Sequence, residues 1–453
     1  MRKKVIFTIA IPFLFSHVFG QTWTQVGSGF NNSVFSLTVD SLNNLLYAGG
    51  YFTKSGSTVV NHISKWDGNA WLPLDSGLNG YANSIIMYKG ELYAGGGFSK
   101  AGNVSVKNIA KWNGVQWSAL GAGVNSSVRC FYVNNGLLYV GGTFTTAGSI
   151  QANHIATWDG ANWDSIGQGV SGAVIAIMNY NGNLYEGGTI STIGTTDTHL
   201  AYWNGTKWNA VAEPYNTFDG DDWIKALAVY QGDLMIGGYI DPSTMLAMEI
   251  VKWNGSNWLN LGGSYLSNDI ESVNSFISSD SALYIGGGFS SAYDYILNTS
   301  TSDCKGVTRW QNNKWHSFDK GITSDVSSIV FFNGELYAGG SFNTSGGLNA
   351  GDCIMKWNMI TSSNDLIADS YLLHTIFPNP FISNTTLKLN STIKEQGVNF
   401  KMYNSIGEEV TFTYEFIGEQ IKIIRGDLPS GLYFIQLISS NKIIVSEKLI
   451  MID

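Results

Sequence analysis

One motif returns seven times along this chain, and one half of it is out of step with the other. The string LYAGG at residues 46–50 recurs as LYAGG (92–96), LYVGG (138–142), LYEGG (184–188), LMIGG (234–238), LYIGG (283–287) and LYAGG (336–340). A period of roughly 46 to 53 residues is the mark of a supersecondary unit that must stack on copies of itself to bury its apolar face. Six of the seven motifs are followed by two tryptophans five residues apart: Trp66/Trp71, Trp112/Trp117, Trp158/Trp163, Trp203/Trp208, Trp253/Trp258 and Trp310/Trp315. After the seventh, Trp357 stands alone. Its partner is at the other end, where TWTQVGSGF (22–30) matches the second half of a unit such as NWDSIGQGV (162–170) and supplies Trp23.

A linear stack gains nothing from such an offset. A ring does, because a strand from the N-terminus completes the last sheet and locks the circle. Each unit divides into four strands at its turn residues. The third reads VRCFYVN (128–134), LLYVGGTF (137–144), HIATWDG (154–160) and NWDSIGQG (162–169), with hairpin signals at Asn135-Gly136 and Asp159-Gly160. Charged residues are few at 13%, while 53 glycines and 15 tryptophans suit short strands and tight turns. The expected fold class is all-β: a seven-bladed β-propeller closed by the N-terminal strand, plus a small C-terminal β-sandwich. A two-residue Asp-Gly turn would make the two tryptophans of a pair diagonal neighbours. A four-residue loop would set them opposite one another. Both put the indoles on one face of the sheet.

The order of Gly pair, aromatic strand, hairpin and tryptophan over residues 21–358 resembles kelch-type propellers, including the galactose oxidase-like group. The pattern W-[DN]-G-x-x-W, present in five of the six pairs, is one residue tighter than the usual kelch hairpin and points also to a sister family. The copper chemistry of galactose oxidase needs two Tyr, two His and a Tyr-linked Cys, and no equivalent set stands out. Sialidase-type propellers need three converging arginines, whereas this stretch has only Arg129 and Arg309. Fold resemblance therefore does not carry an activity.

The first twenty residues, MRKKVIFTIAIPFLFSHVFG, pair a basic start with a short apolar run and read as a signal peptide. Its removal takes three positive charges and leaves 22 basic residues against 34 acidic ones. With no basic patch, nucleic acid is not an expected partner, and no other apolar run is long enough for a transmembrane span. Three cysteines are too few for a disulfide scaffold. Cys304 and Cys353 lie near one repeat phase and either pair or remain buried thiols. His62, His154 and His199 share a phase four residues before a first tryptophan, which suits a strand-start role better than a metal cluster. GQGVSG (167–172) fits a phosphate-loop string, but its counterparts GAGVNS and GSGFNN mark it as a turn.

Antiparallel order places the sheet-to-sheet loops and the second-to-third loops on one face, and these loops carry all the excess length. They hold Tyr215, Phe218, Asp219, Asp221, Asp222, Trp223, Tyr265, Asp269, Tyr293, Asp294 and Tyr295. Rings beside carboxylates can grip a glycan or an extracellular protein. The run DGDD (219–222) could contribute oxygens to calcium, although it lacks the twelve-residue loop pattern; no other cofactor is expected. The reading is a monomeric, non-catalytic binding protein. The alternative is a carbohydrate-active enzyme using carboxylates of the blade 4–6 loops.

Residues 359–371 read as a polar linker. Residues 372–453 contain no tryptophan and alternate as strands. FPNP (377–380), VNFKMYNSIGEEV (398–410), LPSGLYFIQL (428–437) and EKLIMI (447–452) resemble the type A C-terminal sorting domain of the type IX (Por) secretion pathway. That resemblance implies contact with the type IX machinery, passage through the outer membrane of a Gram-negative bacterium, and release or anchoring at its surface.

Overall fold

The computed structural model describes residues 22–213, 223–239, 250–261, 264–267, 272–279, 281–294, 299–301, 303–342, 353–357, 374–377, 381–389, 398–404, 409–417, 420–439 and 442–451. These form strands and turns in two compact units, Thr22–Asn358 and a C-terminal unit from Met359 onward. Among them no helix is long and apolar enough to cross a membrane.

The first unit holds seven four-stranded antiparallel sheets. Sheet 1 runs Val34–Asp40, Leu45–Gly50, Ile63–Trp66, Trp71–Pro73, and the pattern repeats along the chain. Sheet 7 has Val326–Phe332, Glu335–Gly340 and Ile354–Trp357 from its own unit, and its fourth strand is Trp23–Gln25. Trp23 lies opposite Trp357, Thr24 opposite Lys356 and Gln25 opposite Met355. The first strand of each sheet packs against the first strand of the next, and that of sheet 7 against that of sheet 1.

Local chemistry accounts for the repeat. The first-to-second hairpins turn on residue pairs with positive φ, such as Asn135 (48°) and Gly136 (76°) or Asn333 (51°) and Gly334 (77°), whose twist matches that of the flanking strands. In the third-to-fourth loop the recurring Asp or Asn folds its side chain over the turn. Asp159 Oδ1 accepts the N–H groups of Ala161 and Asn162 at 2.7 Å, and Asn113 does the same for Val115 and Gln116 at 2.9 Å. That Asx turn spans four residues, so the tryptophans sit directly opposite: Trp158 faces Trp163, with ring centroids 5.1 Å apart. The second indole then reaches back to the preceding sheet. Trp71, Trp117, Trp163 and Trp208 donate Nε1–H to the carbonyls of Val26, Leu74, Leu120 and Ile166 at 2.9–3.0 Å.

The glycine pair is explained by close approach. A Cβ on Gly95 would lie 2.5 Å from Val128 of the next sheet, and one on Gly96 would lie 2.0 Å from the Tyr81 carbonyl oxygen. At the seam the same rule holds: a Cβ on Gly339 would lie 2.5 Å from Val34.

His62 and His154 take left-handed conformations (φ 68° and 65°), as does Asn108 (60°) at the same phase. The His154 ring and the Asn108 amide both bond a carbonyl of the following segment, that of Val170 at 2.8 Å and that of Val124 at 2.9 Å. This is a turn role. Cys304 and Cys353 belong to different apolar clusters, and no disulfide is formed among the described residues.

The second unit has two four-stranded sheets. One orders His374–Phe377, Asn384–Leu389, Gln420–Ile424 and Thr413–Ile417; the other orders Glu409–Val410, Val398–Asn404, Gly431–Ser439 and Lys442–Met451. Leu387, Ile421 and Ile423 of the first share a core with Phe400, Met402, Ile435 and Leu449 of the second. Arg425 clasps the LPSG turn, donating to the Leu428 carbonyl at 2.8 Å and to Ser430 Oγ at 3.0 Å.

Candidate functional site

In each first strand of the larger unit the pairing register slips once at its start: between Val34 and Ser36, Ala82 and Ser84, Val128 and Cys130, Val174 and Ala176, Ile224 and Ala226, Val273 and Ser275, and Val326 and Ser328. Such a bulge leaves one residue unpaired and re-aims it. The skipped residues are Phe35, Asn83, Arg129, Ile175, Lys225, Asn274 and Ser327, and all seven line a single cavity of about 670 Å³. The bulge lies at the N-terminal end of each first strand, so the cavity opens on the face that carries the sheet-to-sheet loops. Thr143 and Thr189, which follow the glycine pairs, complete its rim.

The polar side chains of the wall form a relay. Lys225 Nζ donates to Asn274 Oδ1 at 3.2 Å, and Asn274 Nδ2 donates to Asp325 Oδ1 at 2.6 Å and to the Val326 carbonyl at 3.0 Å. Burial holds the Lys225 ammonium below the usual lysine range, and the Asp325 carboxylate acts against that shift. Asn83 ties its neighbour in the same way, donating to the Val128 carbonyl at 2.7 Å. A second cavity of about 600 Å³ shares Lys225 and Asp325 and is bordered by Lys305, Ser272, Thr323 and Ser324.

Behind the wall sits Glu186, where other repeats have Ala48, Ala94 or Val140. It is fully buried, Oε1 has no partner among the described residues, and burial raises its pKa well above the usual carboxylate value. Desolvation, and then this carboxyl, push the Cys130 thiol up.

Of the residues that the loop insertions suggested, Trp223 opens the first strand of sheet 5, lines the cavity and is 47% exposed. Tyr265 and Tyr293 are register partners in a small sheet formed by Ser264–Ser267, Ser291–Asp294 and Thr299–Thr301, and Asp294 lies between Ser264 and Thr299 there. Tyr215, Phe218, Asp219, Asp221, Asp222, Asp269 and Tyr295 lie outside the described residues, and DGDD (219–222) with them. Among the described residues no group of three or more His, Cys, Asp or Glu could hold a metal ion. The loop insertions do not point to Arg129, Lys225, Asn274 or Asp325. A signal was present: in VFS, ANS, VRC, VIA, IKA, VNS and VSS the middle residue varies freely between constrained neighbours.

Residues 375–452 match the family model of the secretion system C-terminal sorting domain and are such a domain. The chain is therefore secreted to the cell surface or outer-membrane region, as in Bacteroidetes-type bacteria, and engages the type IX machinery through this domain. A search of curated proteins found no match. Among solved structures the chain is similar to the WD40 β-propeller domain of Doa1, with 13% identity and a TM-score of 0.46, over 75% of this chain and 98% of that one.

Proposed function

We propose that the secreted unit is a seven-bladed β-propeller, closed by Trp23–Gln25, that binds a glycan at the mouth of its central cavity. The observation that carries this reading is one cavity lined by side chains from all seven first strands. Convergence of that kind follows if the sheets stand as blades around an axis, and the pairing of Trp23 with Trp357 together with contact between the sheet 1 and sheet 7 first strands supports closure. A cavity of about 670 Å³ lies in the range of small-ligand sites. Its amides and hydroxyls suit sugar hydroxyl groups, and Trp223 at the edge offers a face for stacking. The loop residues named from the sequence, Tyr215 to Tyr295, are proposed to add contacts to a longer glycan, or to an extracellular protein that bears one. The kelch-type assignment belongs to this proposal as well.

Asp325 is the one carboxylate among the described lining residues, and it is bonded to Asn274. Glycoside hydrolysis ordinarily needs a pair, so the enzymatic alternative would have to draw on loops outside the described residues. A glycan array followed by product analysis tests the reading: retention without turnover is expected. Failure of every glycan to bind, or cleavage of a retained one, would refute it. Removal of residues 374–453 should leave the propeller in the periplasm, and unchanged surface display would contradict the role of the sorting domain in this chain.

A further inference from the structure

The cavity wall is not uniform around its circumference. In part of it, main-chain N–H groups are covered by hydroxyls from the neighbouring sheet. Ser328 Oγ accepts from Leu37 N at 3.1 Å, Ser36 Oγ from Ile85 N at 3.1 Å and Ser275 Oγ from Ile329 N at 3.2 Å. Ile177, Leu227 and Phe276 hold the same register position after their own bulges. In the preceding sheets the positions of those serines are held by Cys130, Ala176 and Ala226, and none of these offers a hydroxyl. Among the described residues, these three N–H groups on sheets 4, 5 and 6 therefore lack the hydroxyl cover found at Leu37, Ile85 and Ile329, as does that of Phe131 on sheet 3. Sparsely bonded N–H groups on a concave wall form an anion-seeking surface.

Two cations stand on the same arc. Arg129 of sheet 3 and Lys225 of sheet 5 flank sheet 4, and both line the cavity. The larger unit has only two arginines, and its surroundings are acidic, so placing one of them here is not a consequence of composition. Arg129 is exposed to the cavity, and among the described residues no carboxylate forms an ion pair with it. A planar guanidinium suits bidentate contact with an oxyanion. On the far side Asp325 and Asn274 hold Lys225 in position, so its ammonium is presented and not free to swing to solvent.

We propose that the cavity selects an acidic saccharide, holding a carboxylate or ester sulfate between Arg129, Lys225 and the uncovered N–H groups of Ile177, Leu227 and Phe276. This rests on the glycan-binding reading and specifies the class of glycan. The remaining wall, with Asn83 and the rim threonines, receives sugar hydroxyls, and Trp223 stacks on a ring beyond the anionic group.

The test uses the mature full-length chain on an array that carries matched pairs: trigalacturonate with its methyl ester, and sulfated galactan oligosaccharides with their desulfated forms. Retention of the uronate arm, the sulfate arm or both identifies the anion. Titration calorimetry should then give at least tenfold tighter binding to the charged member of the pair, weakening as salt is raised. Arg129→Gln and Lys225→Gln should each lose about tenfold or more for the charged member and little for the neutral one. Arg129 is exposed, so its variant tests the site even if the Lys225 variant folds poorly. Equal binding of charged and neutral members, or unchanged affinity in Arg129→Gln, overturns the inference. Retention of neutral glycans alone overturns it while leaving the platform reading intact; retention of neither class overturns both.

Discussion

Trp23 carries the join between the two ends of the larger unit, and replacing it measures what that join contributes. The indole is 5% exposed, with ring centroids 5.5 Å from Trp357 and 6.1 Å from Phe318. Truncation to Ala removes a buried aromatic and should cost about 3–5 kcal/mol. Trp23→Phe behaves differently. Its Nε1 is buried without a partner among the described residues, a condition that itself costs about 1–3 kcal/mol. Phe relieves that cost while losing part of the packing, so the net change should lie within about 1 kcal/mol of zero. Trp117 is the control, because its Nε1 donates to the Leu74 carbonyl at 3.0 Å. Trp117→Phe removes that bond, leaving the oxygen only the Gly77 N–H, and should cost about 0.5–1.5 kcal/mol in addition to lost packing. Urea denaturation followed by tryptophan fluorescence resolves the difference, since all 15 tryptophans lie between residues 23 and 357 and the C-terminal unit is silent. A Trp23→Phe variant as damaged as Trp117→Phe would refute the hydrogen-bond argument. A Trp23→Ala variant losing less than about 1 kcal/mol would refute the packing of the seam.

Gly339→Ala should destabilise the larger unit by about 1–3 kcal/mol, because the added carbon meets Val34 of sheet 1; a thermal melt at the wild-type midpoint would contradict contact between sheets 7 and 1. Removal of residues 22–30 leaves the edge of Ile354–Trp357 unpaired and should produce association visible by light scattering, whereas a monodisperse monomer would count against it. Glu186 gives a pH signature. Its folded pKa is raised by burial, so the folded state holds the proton more tightly than the unfolded one. Stability is retained below the ordinary glutamate pKa and falls as pH rises from there through the raised value. Glu186→Gln should flatten that slope and be the more stable protein at neutral pH; parallel denaturation curves at pH 5 and pH 8 for both proteins would show the idea to be mistaken.

Much of the architecture was legible in the sequence, and for identifiable reasons. The seven Gly pairs, the Asn-Gly hairpins and the displaced Trp23 are short-range signals, each tied to a backbone geometry that few other residues permit. The tryptophan register was not settled by spacing, since a two-residue turn and a four-residue loop both fit WDGANW. The side chain of Asp159 decided it by bonding the two N–H groups that a tighter turn would have used otherwise.

The candidate site was hidden for a different reason. Aromatic and acidic loop insertions stand out in a linear string because they add length to a regular repeat. Arg129, Lys225 and Asn274 sit inside strands that look regular, each at the bulge itself, and the bulge turns each toward a common space. The sequence by itself determined the repeat, its turns and the strand that must cross from one end to the other, because those depend on contacts a few residues apart or on identical copies. Only the tertiary structure decided that side chains some 46 to 53 residues apart share one cavity, since that depends on seven sheets converging and on a one-residue slip in each.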